Sequence, residues 1–202
     1  MIKLFVFDMD GVLIKIKENC YASKLFQDLY GIPQDEFYDV LKKNKFLERT
    51  KDDGSTFKLF SELLKKYKVK ITEKIFWNIW FNNFKVKQDL VDFALSLKKS
   101  GKKIGILSDQ FFERAEYLKD NLDWMKEFDC VLFSSDFGVT KHDKKFFKIL
   151  IEKAKLKPEE IFFTDDDEKN VEVARSVGIK GINFTNWVWD KNNLHTPKLA
   201  KK

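Results

Sequence analysis

Five short apolar runs, at 2–7, 103–107, 130–133, 161–164 and 181–184, most constrain what this chain can fold into. Runs of this length flanked by helical patterns are what strands buried on both faces of a parallel sheet produce. Between the later runs, apolar residues recur at spacings of three and four over 112–122, 145–154 and 171–177, each the length of a crossover helix. Right-handed crossovers between such strands build a doubly wound sheet. The predicted class is therefore α/β, with a Rossmann-like core of five parallel strands.

The long interval between the first two runs breaks this rhythm. It reads as helix at 21–30, 34–43, 56–67, 73–84 and 87–99. Turn and capping residues punctuate it at Gly31-Ile32-Pro33 and at Asp52-Asp53-Gly54-Ser55, and Thr72 is placed to cap the fourth helix. The last of these helices is the crossover into the second strand. The others form an inserted helical subdomain at 16–86, leaving 1–15 and 87–202 as the core. Trp77, Trp80, Phe81 and Phe84 fall on one helical face, which serves either core packing or the lining of a pocket. Trp187 and Trp189 alternate as in a strand, with no function attached to them.

Charge and cysteine content exclude several functions. The net charge is +6, yet only Arg49, Arg114 and Arg175 are arginines, and arginine carries most bidentate recognition of phosphates and bases. The lysines are interspersed with Asp and Glu along helical faces, so the excess reads as a solvated surface and no nucleic-acid partner is expected. No apolar run is long enough to cross a bilayer and the first residues do not resemble a signal peptide, so neither a membrane nor export is expected, and the location reads as cytoplasmic. Cys20 and Cys130 are far apart in sequence, which argues against a zinc site or a disulfide. Cys130 reads as a buried, inert thiol. Oligomeric state is left open.

In open α/β sheets, ligands bind beyond the carboxyl ends of the strands, and the polar residues just after each run form a consistent set there. The first run ends in Asp8-Met9-Asp10-Gly11, the second in Ser108-Asp109 and the fourth in Asp165-Asp166-Asp167, while Lys141 follows the third. Asp8, Asp10, Asp165 and Asp166 would converge in one crevice, where several carboxylates cannot all stay ionised without a cation. An oxygen-rich site of this kind suits Mg²⁺. Lys141 and the Ser108 hydroxyl would cradle a phosphoryl group, one carboxylate would attack it, and a second would move the leaving-group proton. Asp167 is expected to face solvent or cap the next helix.

These four elements, in this order, resemble the haloacid dehalogenase superfamily. Asp8-Met9-Asp10-Gly11-Val12 is similar to its first motif, Ser108 to its second, Lys141 to its third, and Asp165-Asp166 followed by Asn170-Val171 and Ala174 to its fourth. The resemblance implies a sheet of strand order 5-4-1-2-3 with a helical cap inserted after the first strand. It implies Asp8 as the nucleophile, Asp10 as general acid and base, and Ser108, Asp109 and Lys141 on the phosphate side. Mg²⁺ would lie on Asp8, Asp165, the carbonyl of Asp10 and, directly or through water, Asp166. Segments 30–33 and 138–141 further resemble phosphatases of small metabolites related to glucose-1-phosphate phosphatases and to the phosphatase domain of epoxide hydrolases. The expected function is thus Mg²⁺-dependent hydrolysis of a small phosphorylated metabolite such as a sugar phosphate, through an aspartyl-phosphate. A phosphomutase or a weakly catalytic binding protein of the same superfamily are the alternatives. Two positions depart from the pattern. Asp109 stands where that subgroup usually has Asn, and so either weakens phosphate binding or points away; His142 stands where Pro commonly follows the lysine.

Overall fold

The computed structural model describes residues 1–184, together with the backbone of two short paired strands at Trp187–Val188 and Lys198–Leu199. Trp187 lies in the first of those strands, and Trp189 lies outside the described residues.

Strand β1 (Leu4–Phe7) is buried along its whole length, and alternation sends its side chains to two opposite cores. Phe5 and Phe7 join one core with Leu90, Val91 and Ala94, while Leu4 and Val6 join the other with Phe146, Phe147 and Leu150. Sequence alternation in this one strand therefore dictates helices on both faces of the sheet. The sheet is completed by β4 (Lys103–Ser108), β5 (Cys130–Phe133), β6 (Ile161–Asp165) and β7 (Lys180–Asn183), in the order β5-β4-β1-β6-β7 with every pairing parallel. Counting core strands only, that is the expected order 5-4-1-2-3 read from the β7 edge. The packed helices are α5 (Gln88–Lys99), α6 (Phe112–Asn121), α7 (Lys144–Ala154) and α8 (Glu168–Ser176). Cys130 is half-buried instead of fully buried, because its strand is the sheet edge. Burial still raises its thiol above the usual range, so it is a poor nucleophile at neutral pH.

Between β1 and β4 the chain runs through β2 (Ile14–Ile16), α1 (Ala22–Tyr30), α2 (Gln34–Lys43), α3 (Ser61–Lys66), α4 (Glu73–Phe81) and β3 (Phe84–Val86). Strands β2 and β3 pair antiparallel, Ile14 opposite Val86, so the chain leaves and re-enters the sheet region at adjacent points. The helices enclose a core of their own. Phe26, Phe37, Phe60 and Phe76 are fully buried there, with ring centroids 4.7 Å apart for Phe37–Phe60 and 4.8 Å for Phe26–Phe76. Aromatic pairs at this spacing each add about 0.5–1.5 kcal/mol beyond area burial.

Two expected helices are altered. The fourth ends at Phe81 and not at 84, because the Asn83 amide donates to the carbonyl of Ile79 and closes the turn, freeing Phe84 to begin β3. The third opens as a tight 3₁₀ turn over Thr56–Phe60 before becoming α3. Thr72 does cap α4, accepting from Ile75 N–H. Contacts tie the insertion to the sheet region. Glu113 accepts from Thr56 N–H at 2.6 Å and from the Thr56 hydroxyl at 2.9 Å, and the Ser134 hydroxyl donates to Leu47 C=O at 2.6 Å. Among the described residues, no helix is long and apolar enough to cross a membrane.

Candidate active site

The carboxyl ends of β1, β4 and β6 and the loop leading into α7 open into a cavity of about 650 Å³. Asp8, Asp10, Ser108, Asp109, Lys141, Asp165 and Asp166, the full set expected from sequence, all line it.

At the floor, the Lys141 ammonium bridges two strand ends. Its Nζ lies 2.7 Å from Asp8 Oδ1 and 2.6 Å from Asp165 Oδ2, and all three side chains are buried. Asp165 is further fixed by Asn170 Nδ2 at 3.1 Å and by Asp167 N–H at 2.8 Å. Asp167 caps α8, accepting from Lys169 N–H, as expected. Burial, reinforced by the nearby charge of Asp165, pushes the Asp8 carboxyl up to about 7 despite Lys141. Asp166 is raised by burial and by the same neighbour. Lys141 remains cationic: burial disfavours its charge, but Asp8 and Asp165 outweigh that and raise it above the usual lysine range.

Carboxylate oxygens of Asp8, Asp165 and Asp166 lie within 4.8 Å of one another. One lysine cannot neutralise three carboxylates, and all the oxygen donors are hard, so the set fits a divalent cation of the magnesium type. Gly11 makes this crowding possible. Its φ of +82° favours glycine, and a Cβ there would stand 2.0 Å from Asp166 Oδ2. Lys87, at the start of the crossover helix, donates to the carbonyl of Gly11.

Asp10 lines the same cavity with partners of its own. Both of its oxygens accept from Arg114, at 2.5 and 2.8 Å, and Gln110 Nε2 donates to Oδ2 at 2.6 Å. Burial alone would raise this carboxyl, but the charge and hydrogen bonds of Arg114, with Gln110, hold it below the usual range. Gln110 also donates to the Ser108 hydroxyl at 3.1 Å. Asp109 turns its carboxylate onto the backbone N–H of Lys141, at 3.0 Å, and burial raises its pKa. It thus anchors the loop that carries the lysine.

Arg114 and Gln110 escaped the sequence reading. A signal was present: Arg114 shares the buried face of α6 with Ala115 and Leu118, and arginine is almost never buried without a partner. The partner, Asp10, lies more than a hundred positions away in sequence, so periodicity alone offers no way to pair them.

A family model described as haloacid dehalogenase-like hydrolase matches residues 2–178. The chain belongs to that family. This hydrolase is similar to the glyceraldehyde 3-phosphate phosphatase of Methanocaldococcus jannaschii, at 27% identity over 89% of the chain and 83% of that protein. It is likewise similar to the phosphorylated carbohydrates phosphatase of Thermotoga maritima, at 25% identity over 88% of the chain and 82% of that protein. In fold, the haloacid dehalogenase-like chain resembles a family enzyme of Bacteroides thetaiotaomicron with a TM-score of 0.75 and 21% identity, over 90% of this chain and 93% of that one. That enzyme has also been solved with magnesium and inorganic phosphate.

Proposed function

We propose that this hydrolase removes phosphate from small phosphorylated metabolites by way of an aspartyl-phosphate on Asp8. One observation carries the reading: Lys141 bridges Asp8 and Asp165 at 2.7 and 2.6 Å on the floor of an open cavity, an arrangement that supports Asp8 as nucleophile beside a cation and Asp165 as a metal-type carboxylate. The names of the two phosphatase relatives support a sugar or sugar-like phosphate as the substrate.

In the proposed cycle an Asp8 oxygen attacks phosphorus in line with the ester oxygen, forming the O–P bond as the P–OR bond breaks. Protonated Asp10 gives its proton to the departing oxygen. Asp10, now a carboxylate, takes a proton from water as that water attacks phosphorus, and the bond to Asp8 breaks. Inorganic phosphate leaves and both carboxyl groups return to their starting states. Arg114 and Gln110 favour ionised Asp10, the form that activates water. Lys141 and the Ser108 hydroxyl hold the phosphoryl oxygens, and Asp109 holds the Lys141 loop in place. The carboxylates of Asp8, Asp165 and Asp166 and the Asp10 carbonyl would hold Mg²⁺, which would supply positive charge against the phosphoryl oxygens. The insertion at 16–86 acts as the cap, excluding bulk water and contacting the leaving group.

The test is phosphate release from p-nitrophenyl phosphate with and without Mg²⁺, for the wild type and Asp8→Asn. Release that needs the metal and disappears in the variant is expected. Metal-independent release, or an undiminished variant, would overturn the reading.

A further inference from the structure

A second cavity, of about 270 Å³, opens off the first between the sheet and the insertion. The two share Asp10, Ile16, Tyr21 and Asp109 as walls. The acid that protonates a leaving oxygen has to lie within hydrogen-bond reach of it. An ester oxygen served by Asp10 therefore sits at the junction, and the alcohol beyond it continues into the second cavity.

The walls there are mostly apolar, and Phe37, Leu41, Phe46, Leu47, Trp80 and Phe111 are among them. The rings interlock, with centroids 5.1 Å apart for Trp80–Phe111, 5.2 Å for Phe37–Trp80 and 5.5 Å for Phe46–Phe111. Ser23, Asp109, Gln110 and Arg114, which reach this cavity, already have protein partners. Arg114 is spent on Asp10 and Gln110, Ser23 donates to Gln34, and Asp109 accepts from Lys141 N–H. A polyol placed there would lose its water and find few partners, and unpaired polar groups are costly when buried. Tyr21 and Tyr38, both exposed, border the same space and extend its aromatic surface to solvent.

We infer that the second cavity is a leaving-group site for an apolar, ring-sized substituent, so that the preferred substrate is a phosphate monoester of an alcohol bearing such a group and not of a bare polyol. The inference rests on the phosphatase reading for the direction in which the alcohol points, and it departs from the sugar-like substrate that the relatives' names suggest by favouring an apolar ring on the leaving alcohol. Aromatic walls favour a flat ring, which stacks on them as well as shedding its hydration shell. Specificity in such a site comes from both terms: the ring gains burial and the polyol is penalised by its unpaired hydroxyls.

The experiment compares kcat/KM for 2-phenylethyl phosphate and glycerol 3-phosphate, both esters of primary alcohols, with Mg²⁺ present. A preference of at least about tenfold for the phenyl ester is expected, since burying one ring exceeds the 1.4 kcal/mol that a factor of ten requires. Leu47→Trp, which fills the cavity from a partly exposed position, should shrink that ratio several-fold. Equal or better hydrolysis of glycerol 3-phosphate, or a ratio that Leu47→Trp leaves untouched, overturns the inference while leaving the phosphatase reading standing. Calorimetric binding of 3-phenylpropylphosphonate against 3,4-dihydroxybutylphosphonate to the wild-type protein tests the site without turnover. Tighter binding of the phenyl compound, by about tenfold, supports it even if neither ester is hydrolysed. Equal affinities refute it.

Discussion

Arg114 holds both carboxylate oxygens of Asp10 from the first turn of α6, across an interval of 104 residues. This fork couples the proposed acid and base to a helix that carries none of the four motifs. Because Arg114 lowers the Asp10 pKa, removing it raises the pH at which Asp10 ionises. Water activation needs the ionised form, so Arg114→Met should move the acidic limb of the kcat–pH profile to higher pH. Arg114→Lys keeps the charge but loses the two-point geometry, and should give an intermediate shift. A profile unmoved in both variants would mean that the fork is only structural.

Asp8 creates the opposite dependence. Its pKa rises from 3.8 in the unfolded chain to about 7 in the folded one. The native state thus binds this proton more tightly, and stability from this group falls as pH rises from about 4 to about 7. Above that window the cost of the buried charge is fully present. At pH 8 without metal, Asp8→Asn should therefore melt several degrees above the wild type, corresponding to about 1–3 kcal/mol. Added Mg²⁺ should raise the wild type and narrow that gap. Thermal melts with EDTA and with Mg²⁺ read both effects.

Gly11→Ala tests the crowding around Asp166. The added methyl meets Asp166 Oδ2 at 2.0 Å on a backbone with φ of +82°. Both the clash and the dihedral oppose it, and a loss of about 1–3 kcal/mol in stability is expected. Mg²⁺ affinity, followed by titration calorimetry, should fall as well, because Asp166 has to move to admit the methyl.

Asp109 brings a charge near the proposed phosphate site while it accepts from the Lys141 backbone. Asp109→Asn keeps an acceptor for that N–H and removes the negative charge. KM for p-nitrophenyl phosphate should fall by about two- to tenfold, with little change in kcat, as expected when uniform repulsion is relieved. Asp109→Leu removes the acceptor too, and should lower kcat by loosening Lys141. A KM that rises in Asp109→Asn would mean that the carboxylate, not the loop, contributes to binding.

Much of the sheet was legible because its signal is local. The apolar run at Leu4–Phe7 and the Asp-x-Asp that follows it announce both the strand and the carboxylates at its end. Lys141 and Asp165 were legible for the same reason, as polar residues just beyond strands. Helix ends in the insertion were less so: the stop at Phe81 depends on one amide, Asn83, folding back onto Ile79. Arg114 and Gln110 needed knowledge of which helix faces which strand end. The walls of the second cavity needed still more, since Phe37, Phe46, Trp80 and Phe111 come from four separate segments.

The pairing of Ile14 with Val86 has a consequence for how such a chain can change over time. To the sheet, everything between those residues is one closed loop whose ends already touch. The entropy of closing a loop grows only logarithmically, by about 0.6 kcal/mol for each doubling of its length. Lengthening, trimming or exchanging the helices strung on that loop therefore costs the sheet almost nothing. On the proposed function, substrate preference can drift in the insertion while Asp8, Lys141 and Asp165 keep the same arrangement on the strand ends.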